Sequence, residues 1–183
     1  MDPVASRFLQ LSARHLRDNV FPRIREAVER LSDEDIWWRP GDSSNSVGNL
    51  LLHLAGNVRQ HVVAGAGGAA DYRDRPAEFA ATGGFPRAEL VQRLAATVNE
   101  AAAVLERLPP NALLETRTIQ GKEVVLLDDI YHVIEHFSYH AGQIIDRVKA
   151  RTGQGFPWYA HLDPRSSSST QGHASGAARD PAR

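Results

Sequence analysis

Residues 126–152 place Ile130, Val133, Ile134, Phe137, Ala141, Ile144, Ile145 and Val148 at helical spacing. At about 100° per residue these side chains form one continuous stripe, which predicts a long helix ending near Thr152, with Gly153 behind it. Such a stripe must be covered, and the chain offers three more helical stripes to cover it. Residues 3–31 carry Val20, Ile24, Ala27, Val28 and Leu31, with Pro22 predicting a kink or break near residues 18–22. After "RPGDSSNS", residues 45–66 carry Val47, Leu50, Leu51, Leu54, Val58 and Val62. Residues 87–108, with Pro86 at the first turn, carry Leu90, Leu94, Val98, Ala101, Leu105 and Leu108. The expectation is an all-α fold, a four-helix bundle. The connections from the second helix to the third and from the third to the fourth are long enough for crossovers. "LLETRTIQGKEVV" (113–125) fits a short hairpin or an extended crossover between helices three and four.

The chain has 183 residues, enough for one domain with a sizeable core. We place that domain at 1–162, closed by an aromatic cap in "TGQGFPWYAHL". Residues 163–183 hold no large apolar side chain and are expected to form a disordered tail. A formal net charge of −1 gives no electrostatic footprint for nucleic acid. No apolar run approaches a membrane span. "MDPVASRF" lacks the basic-then-apolar start of a signal peptide, so a cytoplasmic protein is expected. Cysteine is absent, which leaves His, Asp and Glu as the ligands for any metal.

The fourth helix has a second line of side chains: Asp129, His132, His136, His140, Gln143 and Arg147. Imidazoles four residues apart sit on adjacent turns, about 5–6 Å apart at Cβ, and can converge on one ion. The same line also fits a solvated polar face. In "NLLLHLAGNVRQH" (49–61), His53 lies at the edge of the stripe with Asn57 one turn on. Alone, His53 suits a core position; beside an inward-facing histidine pair it suits a third ligand. His61 lies nearer the stripe centre and suits packing or pocket lining. "WWRP" (37–40) fits core anchors at a helix end, and "DYRDRPAEF" (71–79) fits a self-paired surface loop.

"SVGNLLLHLAGNVRQ" together with "HVIEHFSYHAGQII" resembles the DinB-like (YfiT-like) superfamily of metal-dependent enzymes, most specifically in the last motif. The resemblance covers most of residues 1–162. It implies a four-helix bundle with long crossovers and one divalent ion held by His53, His136 and His140. His132 falls outside that set and is expected beside the ligands or in the pocket wall. Zinc or nickel leads among the metals, with iron and copper also suited to imidazole. The resemblance further implies a homodimer, a small-molecule substrate, and a low-molecular-weight thiol as co-substrate for S-transfer or isomerisation. Asn57 is expected to donate to a ligand or substrate, and Gln143 to support a ligand. Asp129 is expected either to orient His132 or His136 or to serve as a helix N-terminal acid. Phe137 stands where helical zinc proteases carry a Glu, which argues against peptide hydrolysis. Other hydrolysis, or non-catalytic binding of a metal or small molecule, remains the alternative.

Overall fold

The computed structural model describes residues 2–162; the tail expected at 163–183 lies outside them. Asp2 caps the first helix, α1 (Pro3–Arg14), its carboxylate accepting from the N–H groups of Val4 and Ala5. The chain does not break at Pro22. It widens into a π-helical stretch, His15–Val20, and continues as α2 (Phe21–Val28). Proline cannot donate to the carbonyl four residues back, and its ring crowds that carbonyl. A widened turn upstream accommodates both problems without ending the helix.

After a 3₁₀ turn at Asp35–Trp37, α3 (Val47–Val58) starts at a reciprocal cap. Ser46 Oγ accepts from Asn49 N–H, and Asn49 Oδ1 accepts from Ser46 N–H. Trp37 lies against Gly48, where a Cβ would stand 2.8 Å from the ring, so a helix-interior glycine here makes room for the indole. A second π-helical stretch, Arg59–Ala66, extends α3. The connection that follows contains a short helix, α4 (Arg75–Ala80), capped by Asp74. Then come α5 (Arg87–Arg107) and α6 (Leu126–Thr152). Gly153, at φ 69°, ends α6 and donates to the Lys149 carbonyl, in the left-handed conformation that favours glycine.

Between α5 and α6 the chain forms a hairpin, β1 (Thr116–Ile119) with β2 (Lys122–Val125). Thr116 pairs with Val125 and Ile119 with Lys122, across a two-residue turn of Gln120 and Gly121. Both turn residues have positive φ, as a type I′ hairpin turn requires. Ile119 and Leu126 bury under this hairpin with Ala66 and Ala112.

The four long helical segments form the bundle. α3 packs on α5 and α6, α1 on α5, and α2 on α6. Leu54, Leu94, Val98, Leu105, Val133, Phe137 and Ile144 have no solvent exposure. The expected aromatic cap lies against α2. Phe156 stacks on Trp158 at 4.3 Å, the Trp158 indole donates to Glu26, and Arg30 lies 4.0 Å over the Phe156 ring. Among the described residues, no helix is long and apolar enough to cross a membrane.

Leu54→Ala should lower stability by about 2–5 kcal/mol, because a core cavity replaces packed methyl groups. Leu11→Ala, at a side chain 45% exposed, should cost less than about 1 kcal/mol. Urea denaturation of the two variants checks the ordering.

Candidate metal centre

α3 and α6 cross so that His53 faces His136 and His140. One ring nitrogen from each lies within 4.8 Å of the others. The Nε2 atoms of His53 and His136 are 2.9 Å apart, and the His140 ring centroid is 4.4 Å from that of His136. Nitrogen ligands around a tetrahedral ion with bonds of about 2.0–2.1 Å stand roughly 3.3 Å apart, so modest side-chain adjustment closes this set on one cation.

The opposite nitrogens of two rings are engaged. His53 Nδ1–H donates to Glu78 Oε2 at 3.0 Å, and His140 Nδ1–H donates to Gln143 Oε1 at 2.7 Å. Each bond fixes a tautomer with the Nε2 lone pair available, the arrangement typical of metal-ligating histidines. Phe79 packs on the His53 ring with centroids 4.8 Å apart.

Glu78 is itself buried. Arg73 grips it with Nε to Oε1 at 2.7 Å and Nη2 to Oε2 at 2.9 Å, while Arg73 Nη1 donates to Gln60 Oε1. Burial pushes the Glu78 carboxyl up, but the hydrogen bonds from Arg73 and His53 outweigh it and hold the group below its usual range. Burial, followed by the neighbouring His140, His53, His132 and Arg73, pushes His136 down to about 3. Burial also lowers His140, against the bond to Gln143. His136 and His140 are therefore neutral at physiological pH, as ligation requires.

The structure brings together the three histidines expected to be ligands and places Gln143 behind one of them. His132 lies beside them, its side chain 54% exposed and its ring 5.5 Å from that of His136. Asn57 is buried, and its Oδ1 has no hydrogen-bond partner among the described residues. Asp129 stands in the first turn of α6, the second of its two expected roles, and accepts from His61 Nδ1 at 2.8 Å in place of orienting His132 or His136, because the N-terminal end of α6 faces the π-helical extension of α3. His61 lines a cavity under the hairpin.

The segment 71–79 is self-paired and largely exposed, as expected of a surface loop, but its Arg73–Glu78 pair lies underneath His53, and α4 delivers Glu78 there. The insertion carries one mark in the sequence and one in the packing. Asp74 followed by Pro76 is a helix-start pattern. Gly56, inside α3, lies where any Cβ would collide with Glu78 Oε1.

Residues 4–160 match the model of a family described as a protein of unknown function (DUF1572). The chain belongs to this family. The family has the DinB/YfiT-like fold. The crystal structure of a DinB-like protein (YjoA) from Bacillus subtilis shares that fold, with a TM-score of 0.63 and 19% identity. The match covers 81% of this chain and 96% of that one. No curated protein matches the chain.

Gly56→Ala should displace the Glu78 carboxylate and free the His53 ring, weakening divalent-metal affinity by about 10–100-fold. Zinc competition titration on the folded variant checks this. A second expectation concerns acid. The folded-state pKa of His136 lies below its ordinary 6.5, so the unfolded chain binds more protons in between. Stability from neutral His136 is complete above about 6.5 and is lost as pH falls toward about 3. The melting temperature of chelator-treated protein should fall over that window, and His136→Asn should make the slope shallower.

Proposed function

We propose that the chain is a divalent-metal-dependent enzyme whose three-histidine site activates a small thiol for S-transfer or thiol-assisted isomerisation. The observation that carries this reading is the distribution of charge around the trio. Three imidazoles converge, each through one ring nitrogen, while the nearest buried carboxylate, Glu78, faces the opposite side of His53 and is held by Arg73. When bound, a divalent ion with three neutral ligands keeps its full charge and an open position, and it lowers the pKa of a sulfhydryl or water placed there.

The chain's own residues prepare that position. Glu78 and Gln143 hold two rings in the ligating tautomer. Phe79 and the apolar faces of α3 and α6 exclude water from behind the trio. Without cysteine, the sulfur would come from the co-substrate. Imidazole-only ligation suits zinc or nickel, and also iron or copper. The reading includes a small-molecule substrate and a cytoplasmic setting, where thiols stay reduced. It also includes a homodimer, supported by exposed Val4 and Leu114, which line an apolar groove with Leu127. Hydrolysis is the second reading. It is favoured by His132, a half-exposed imidazole beside His136 that is suited to accept a proton from water.

His53→Ala, His136→Ala and His140→Ala should each lose most of the bound metal, and His132→Ala should keep it, by elemental analysis of untagged protein. Cobalt-loaded protein titrated with glutathione, mycothiol and bacillithiol should develop a sulfur-to-metal charge-transfer band with at least one of them. Absence of any band, with His136-dependent turnover of esters or amides, would assign hydrolysis. Tight metal binding with neither outcome would assign a binding protein.

A further inference from the structure

A second pair of ionisable side chains lies outside the trio, and the chemistry proposed above does not use it. His61 and Asp129 are 8% and 6% exposed. The Nδ1–H of His61 donates to Asp129 Oδ1 at 2.8 Å. Asp129 Oδ2 is buried and has no hydrogen-bond partner among the described residues. This bond fixes the neutral ring with its lone pair on Nε2, and a buried carboxylate behind it stabilises the imidazolium form. Those are the two roles of the aspartate in a catalytic Asp–His pair.

The pair borders a cavity of about 480 Å³ between the β-hairpin and the start of α6. Its apolar wall comes from Ile119, Val124 and Val125, and Lys122 stands on the same hairpin. The other charged groups lining it are Glu123, Asp128 and His132. Among the described residues His61 Nε2 has no hydrogen-bond partner, and the ring lines this cavity, so the nitrogen is open to this space. The cavity is contiguous with the trio through one ring. His132 lines it, with its centroid 6.1 Å from His61 and 5.5 Å from His136.

We propose that His61 and Asp129 form an acid–base pair that takes a proton from a small weak acid, a phenol or thiol with an apolar body, held in the cavity under the hairpin. The X–H bond of the acid breaks, the proton passes to His61 Nε2, and the electron pair stays on X. The products are an anion near Lys122 and an imidazolium held by Asp129. The pair stands two ring contacts from the trio, so within the proposed reaction it serves the end of the substrate remote from the metal. That placement rests on the metal reading; the acid–base character does not.

The probe is p-nitrophenol, titrated into the full chain at a pH about one unit below its own pKa, where free probe is mostly protonated. Saturable binding should raise the phenolate absorption. His61→Gln should abolish the rise. Asp129→Asn, which preserves shape but removes the charge behind the ring, should reduce the phenolate yield at saturation by about tenfold or more. Chelator-treated wild-type protein should keep the rise, so loss of the metal reading and loss of this one are separable. No saturable rise with the wild type would overturn the proposal and leave a structural staple between α6 and the extension of α3. An unchanged rise in either folded variant of the pair would overturn it as well.

Discussion

Glu78 is a carboxylate inside the protein, and its burial needs compensation. A lone ionised carboxylate in such a place is strongly destabilising, and removing one partner of a buried pair typically costs about 3–5 kcal/mol. Arg73 supplies a two-point ion pair, His53 a third hydrogen bond, and Gly56 the vacant space in α3 that lets the carboxylate approach. The placement of α4 follows from these contacts. The Asn49 side-chain amide donates to the carbonyls of Glu78 and Ala81, and Arg39 donates to that of Ala81. The residue that caps α3 therefore also fastens the loop that orients His53.

The bundle gives this arrangement a rigid base. α6 turns one face to the core, with Phe137 and Ile144 fully buried, and another to α3, with His136 and His140. Two of the long segments contain π-helical stretches, and both border chemistry or polar contacts. His15 Nε2–H donates to Ser138 Oγ on α6, whose own proton goes to the Ile134 carbonyl, and the Arg59–Ala66 stretch carries His61 to Asp129. π-helical insertions recur at functional sites because the extra residue redirects the side chains around it.

The helices were legible because their periodicity is local, from Leu90 to Leu108 in α5 and from Ile130 to Val148 in α6. Both stripes describe faces that the structure buries. The trio was partly legible, since His136 and His140 share a helical line and the motif resemblance supplied His53. Glu78 was not legible. It lies 25 residues from His53 in a segment dense with charge, and only the packing of α4 gives it meaning. The partner of Asp129 was missed for a related reason. Helical spacing says which residues share a face, but not which part of a neighbouring helix that face meets. Of the kink or break expected at Pro22, the break is absent: the helix continues through a widened turn, because a single proline offers more than one way of satisfying the backbone.

His53 and His136 are separated by 83 residues, with the whole of α5 and the hairpin between them. In metal sites whose ligands lie close together in sequence, the ion can organise a short peptide and drive it to fold. Here the ends of a long loop must first be brought together, and most of the entropic cost of closing it falls on the packing of α3 against α6. The donor set therefore exists only once the chain has folded around it. With the last helix undocked, His136 and His140 stand side by side but no His53 lies opposite them.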